Sequence, residues 1–195
     1  MNRLLLVFFF AFGMYAAQSQ PVHVKIYFVK KVNAPESDTI YYWKEQKLTW
    51  NDFQGTPPAN HFGSAITASG IQYASQMHQD KNGINIDIYV KCYFSKSHSW
   101  KKPEIKAAYH LEHEQRHFDI TYLAAIKLVN DLGKAEFTVQ NWSKQLNQIY
   151  NDNIKLLDET QRRYDKETNH SVLKEKQLEW NNLISEKLAM ITVSR

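Results

Sequence analysis

The chain has 195 residues, 43% of them hydrophobic and 23% charged, with a formal net charge of +4. That length suits one domain with a core of its own. The modest basic excess is scattered, without the Lys/Arg blocks or basic-aromatic interleaving of a nucleic-acid surface, so no nucleic-acid partner is expected. Cys92 is the only cysteine, which excludes a disulfide within the chain and leaves stability to packing.

Residues 1–19 read as a signal peptide. Arg3 supplies the positive start, Leu4 to Tyr15 form an apolar run short for a bilayer span, and Ala17-Gln18-Ser19 offers small residues for cleavage before Gln20. The expected product is one domain, 20–195, secreted or periplasmic. It has no second long apolar stretch and hence no stable membrane insertion after cleavage.

Residues 22–94 have β character. Val22 to Val29 is a candidate strand, followed by a loop at Asn33 to Asp38. Tyr41 to Trp43 and Leu48 to Trp50 are short candidates, and Gly55 to Pro58 is a turn. Ser64 to Ala74 and Ile84 to Phe94 should pair across a polar turn at His78 to Gly83. In the second strand Ile84, Ile86, Ile88 and Val90 alternate with Asn85, Asp87 and Tyr89, predicting one buried and one wetter face. Cys92 falls in this strand and reads as a buried, inert thiol. His61 and His98 read as loop residues.

From Pro103 the apolar spacing becomes helical. A first helix is expected over about 103–132, opened by Pro103 and closed near Gly133. A second runs from about Val139 to Tyr164. Asp165 to Ser171 form a polar loop, and a third helix covers about Val172 to Met190. Strands first and helices after predict an α+β domain: a mainly antiparallel sheet followed by three helices.

The first helix carries His113-Glu114-Gln115-Arg116-His117, an H-E-x-x-H pattern. Histidines at i and i+4 share one helical face and can share a zinc ion, while the intervening glutamate can take a proton from water. At about 100° per residue, with His113 at zero, His117 falls near 40° and Glu114 near 100°. Leu111, Phe118, Tyr122, Ala125, Ile126 and Val129 form an apolar stripe, and Asp119, Glu112, Arg116 and Lys127 form a charged sector predicted to be solvated. Leu123 does not fit that sector. The two histidines belong to neither stripe. His110 shares their side but lies about 10.5 Å of rise from His117, so it reads as a polar neighbour at the edge of the site.

A zinc hydrolase needs a third protein ligand and an open position for water. His170 in the polar loop is the first choice, followed by Asp165 in the same loop and Glu136 just past the first helix.

Four blocks of the sequence resemble the signature blocks of a bacterial family, domain of unknown function 922, described as predicted secreted zinc-dependent proteases. They are Leu48 to Pro58 (LTWNDFQGTPP), Ala65 to Tyr73 (AITASGIQY), His113 to Ile120 (HEQRHFDI) and Tyr164 to His170 (YDKETNH). The resemblance implies a zincin-like fold, His113 and His117 as zinc ligands and Glu114 as catalytic base. It singles out the Tyr164–His170 block as the rest of the site, favouring His170 as a ligand. Where the family's loop continues with Gly after this histidine, Ser171 stands here.

The resulting expectation is a zinc metalloprotease acting on a peptide or protein substrate. Glu114 would be its base, and Tyr164 a candidate for steadying the oxyanion. An extended substrate would add to the edge of Ser64 to Ala74. The Leu48–Pro58 block reads as scaffold beside the cleft. The alternatives are a zinc-binding envelope interaction protein without turnover, and an amidase acting on cell-wall peptides.

Overall fold

The computed structural model describes residues 21–30, 34–60 and 63–191. The signal-peptide reading and His61 lie outside them. The element order is β1 (Val22–Phe28), β2 (Thr39–Tyr41), a 3-10 turn (Trp50–Asp52), β3 (Ala65–Ile66), β4 (Ser69–Asp80), β5 (Gly83–Ser95), β6 (Trp100–Lys101), α1 (Ala108–Lys134), α2 (Trp142–Thr168) and α3 (Lys174–Met190). The domain is α+β, a mostly antiparallel sheet followed by three helices.

β5 is the spine of the sheet. β4 pairs with it antiparallel from Ser69↔Phe94 to Asp80↔Gly83. β1 runs parallel to its first half (Val22↔Ile84 to Phe28↔Val90), and β2 antiparallel to its end. The predicted alternation holds: Ile84, Ile86, Ile88, Val90, Cys92 and Phe94 are buried. They meet Phe118, Tyr122, Ala125, Leu128 and Leu132 of α1 in one core. Ile88, Val90 and Phe94 are 0% exposed, and burial of side chains this size stabilises by about 1.5–3 kcal/mol each. The Cys92 thiol is enclosed there, and burial pushes its pKa up, as an inert cysteine requires.

Several boundaries differ from the sequence expectation. Pro103 does not open α1. It occupies the second position of a turn closed by Ile105 N–H donating to Lys102 O at 3.0 Å, a position where its fixed φ is favoured. Gly133 is inside α1, and Ala135, with φ −78°, is the C-cap. The Ser64–Ala74 strand breaks at Thr67-Ala68 into β3 and β4, and Leu48 to Trp50 is not a strand.

The Leu48–Pro58 block behaves as scaffold. Leu48 N–H donates to Gln115 Oε1 at 2.8 Å. Gln54 and Gly55 donate their N–H groups to Lys96 O and Ser99 O. A Cβ at Gly55 would lie 2.6 Å from Ser97 O and 2.9 Å from Ser99 O, so only glycine permits this approach.

Asp119 corrects the solvated sector predicted for α1. It is 0% exposed. Its carboxylate accepts from Tyr42 Oη at 2.9 Å, Gln115 Nε2 at 2.8 Å and Arg116 at 3.0 Å. A buried carboxylate is tolerable when its lone pairs are filled in this way. The two central residues of the H-E-x-x-H pattern, Gln115 and Arg116, therefore fix the helix to the rest of the fold. Leu123, the misfit, packs partly buried against the core.

Candidate metal centre

α1 presents His113, Glu114 and His117 to a cavity of about 310 Å³ walled by α2 and by residues 63–69. His113 and Glu114 are buried at 4% and 6% exposure. Asp165 arrives from α2: the loop expected from Asp165 starts only after Thr168, and Asp165 to Thr168 are helical. Of that polar turn Asp165 faces the cavity, while Glu167 accepts from Trp180 Nε1 and Thr168 Oγ1 donates back to Tyr164 O.

Three donor atoms meet. Asp165 Oδ1 lies 3.2 Å from His113 Nε2 and 2.9 Å from His117 Nε2, and the two Nε2 atoms are 3.2 Å apart. Tetrahedral zinc with bonds near 2.0–2.1 Å places neighbouring donors about 3.3 Å apart. The triangle has nearly that size.

The outer hydrogen bonds decide which atoms carry protons. Gln161 Nε2 donates to His117 O at 2.9 Å, an atom that can only accept, so its Oε1 faces His117 Nδ1 at 2.6 Å. Asn181 Oδ1 accepts from Arg116 Nε at 3.2 Å, which can only donate. Gln177 must then turn its amide NH₂ to Asn181 (2.9 Å), leaving Gln177 Oε1 to accept from His113 Nδ1 at 2.8 Å. In the neutral form both imidazoles therefore carry the proton on Nδ1 and aim an Nε2 lone pair at the carboxylate oxygen. Three lone-pair donors converging within hydrogen-bond distance repel unless a proton or a metal cation lies among them. The pKa shifts show the same pull towards positive charge. For His117, burial disfavours charge, but the hydrogen bond to Asp165 and the charges of Glu114 and Asp165 prevail and raise its pKa. For Asp165, burial works upward, but hydrogen bonds with His113 and His117 hold its carboxyl well below the usual range. His113, His117 and Asp165 could hold a metal ion.

His170 was expected in that set. It lies outside the donors gathered there, with Nδ1 3.5 Å from Asp165 Oδ1 and its ring lining the cavity. The cause is the backbone. Asn169, His170 and Ser171 have φ of 46°, 51° and 70°, a left-handed run that costs non-glycine residues about 1–2 kcal/mol each. The run turns the chain sharply at the end of α2 and leaves the helical Asp165 carboxylate, not the loop imidazole, against α1. Ser171 adopts a glycine-like φ, and its Oγ lies 2.8 Å from His110 Nδ1. His110 is thus the polar neighbour at the edge of the site that its spacing predicted. Glu136, exposed beyond the far end of α1, is about 25 Å of helix rise or more from His117 and takes no part.

Tyr164 is 0% exposed, stacks on the His113 ring at 4.6 Å and donates from Oη to His113 O at 3.3 Å. Gln177 Nε2 donates to the same hydroxyl. Burial drives its pKa well up. Its hydroxyl is committed behind the ligand, so of the two parts open to Tyr164, oxyanion donor or helix-end packing residue, the geometry favours packing and positioning. Glu114 lines the cavity, and Thr67 Oγ1 donates to its Oε2 at 2.7 Å. Sequence reasoning missed Thr67, Gln161 and Gln177. Gln161 had a signal, one turn before Asp165 on the same helical face. Gln177 had none, because its contact spans two helices.

Residues 97–171 match the family model described as "Bacterial protein of unknown function (DUF922)", the family whose signature blocks the sequence resembles. The match takes in α1, α2 and the left-handed turn, and stops short of α3. No curated protein and no solved structure matches the chain.

Proposed function

We propose that this chain is a zinc-dependent hydrolase that cleaves peptide bonds in extended substrates, and that it acts outside the cytoplasm. The observation that carries the reading is the convergence of His113 Nε2, His117 Nε2 and Asp165 Oδ1 at spacings close to those of neighbouring ligands on tetrahedral zinc. Zinc suits two imidazoles and one carboxylate, and when bound it supplies Lewis acidity that polarises a carbonyl and makes water nucleophilic near neutral pH.

The chain's own residues supply the remainder. Thr67 holds Glu114 Oε2, which leaves Oε1 free to accept a proton from the attacking water and pass it to the departing amine. His170, on the cavity wall beside Asp165, offers a ring N–H to the substrate oxygen as that oxygen gains charge. Gln161 and Gln177 hold the two imidazoles in the tautomer that keeps Nε2 available.

An extended peptide is supported by the backbone above the site. Ser64 O accepts from Lys102 N–H at 2.9 Å, towards β6. Ala65, one residue on, pairs with Lys101 out of hydrogen-bonding phase, so its N–H and C=O point away from β6, and the residue lines the cavity. Further along, Tyr150 Oη donates to Ile71 O at 2.9 Å and occupies that part of the β4 edge. The length left for strand addition is therefore about 64–69, shorter than the Ser64–Ala74 segment expected. Export is supported by Arg3 and the apolar run Leu4 to Tyr15.

The test is Glu114→Gln. Metal content and hydrolysis of a quenched-fluorescence peptide library are measured on both proteins. The expected result is about one zinc in each, with hydrolysis reduced about 10²–10⁴-fold in the variant. Full zinc occupancy with no hydrolysis by the unaltered protein would instead favour a non-catalytic metal-binding module.

A further inference from the structure

The cavity holds a third carboxylate that the proposed chemistry does not use. Asp158 lies on the same face of α2 as Gln161 and Asp165, and lines the cavity with Leu157. It is exposed to that space. It has no hydrogen-bond or ion-pair partner among the described residues, and Arg162, one turn on, does not reach it. No lysine or arginine is among the described residues lining the cavity. A dication held by His113, His117 and Asp165 would offset Glu114 and Asp165, which would leave Asp158 as the unbalanced negative charge in a cleft open to substrate. The protein as a whole is basic, at +4, so this charge is local and opposes the overall balance.

We propose that Asp158 makes the cleft selective for substrates with a positively charged side chain, lysine or arginine, near the reacting bond. Two helical turns separate Asp158 from Asp165, about 10.5 Å of rise, which is the span of about three extended residues. A peptide on the Ala65–Thr67 edge therefore carries a residue within three positions of the bond cleaved past Asp158. A lysine or arginine there meets a carboxylate whose acceptor sites the chain leaves unfilled. A neutral residue leaves Asp158 to water, and an acidic one meets like charge. This rests on the hydrolase reading for the position of the substrate, but the recognition itself is a binding event.

The test uses zinc-loaded Glu114→Gln protein, which retains substrate, and end-blocked extended peptides. The peptides differ at one position that carries Lys, Gln or Glu and is moved in turn through three places on either side of the target bond. Affinity is read by fluorescence anisotropy. The Lys peptide is expected to bind about twofold to fivefold tighter than the Gln peptide at one or two of those positions, the range of a solvent-exposed ion pair. The preference should shrink as salt rises from about 0.05 to 0.5 M, and vanish when Asp158→Asn is added. Equal binding of Lys and Gln peptides at every position, or a preference that survives Asp158→Asn, overturns the proposal. Hydrolysis of the same peptides by the unaltered protein is scored separately. Lys selectivity in binding without hydrolysis would keep Asp158 as a recognition residue and remove the hydrolase reading; hydrolysis without Lys selectivity would do the reverse.

Discussion

Replacing Gln177 with leucine removes the acceptor that fixes the His113 tautomer while keeping the side chain's volume. Gln177 is 1% exposed, and its Oε1 sits 2.8 Å from His113 Nδ1. In the variant the Nδ1 proton has no acceptor, so the ring can flip or shift its proton to Nε2, where it blocks the lone pair a metal needs. Loss of such an outer partner typically weakens metal binding about 10–100-fold, or about 1.4–2.7 kcal/mol. The same substitution strips the amide from Tyr164 Oη and Asn181 Oδ1, and one buried group left unpaired costs about 1–3 kcal/mol of stability. Zinc affinity is measured by competition with a chromophoric chelator, at a temperature where circular dichroism reports the variant folded. Gln177→Glu serves as the opposing arm: it keeps an acceptor at Nδ1 and should bind zinc at least as tightly as the unaltered protein. A folded Gln177→Leu protein with zinc affinity within twofold of normal would refute the tautomer argument.

Three further outcomes are expected. Asp165→Ala should lose zinc while His170→Ala retains it, measured by metal analysis after dialysis; the reverse would return the third ligand to the loop. Tyr42→Phe removes one of the three hydrogen bonds to buried Asp119 and should cost about 1.5–3 kcal/mol by urea unfolding, and a cost below about 0.5 would mean the carboxylate is satisfied without it. The metal-free protein should also have a distinctive pH dependence. Asp165, with its pKa lowered in the fold, contributes stability above about pH 4 that is lost as pH falls through its folded value. His117, with its pKa raised, contributes stability that is full below about pH 6.5 and lost as pH rises through its folded value. Tm without metal should therefore decline from about pH 6 to 9, while Tm with excess zinc should hold or rise, because protons then compete with the ion. A metal-free Tm that climbs over that interval would contradict the assignment.

The parts of the site legible in the sequence were those encoded by a single helix. The spacing of His113, Glu114 and His117 suffices for a shared face, and the alternation in β5 suffices for its buried side. Interactions between elements were not legible. Asp119 belongs by angle to a charged sector, and its burial depends on Tyr42 arriving from the sheet side to join Gln115 and Arg116 in filling its lone pairs. The choice between Asp165 and His170 turned on where α2 ends, and the polar residues of its last turn resemble a loop by composition. Three left-handed residues without a glycine among them give no local signal of so sharp a turn.

The only cysteine is enclosed in the core, so the chain has no covalent brace between its helices. An ion held by His113 and Asp165 would join α1 to α2 across the intervening half-hundred residues. Treated as a cross-link, a closure of that length restricts the unfolded chain by about 4 kcal/mol. Removing the ion would do to this domain what reducing a disulfide does to another: the helix pair would open first at the Asn169–Leu173 turn, and a chelator would expose that turn to proteolytic nicking.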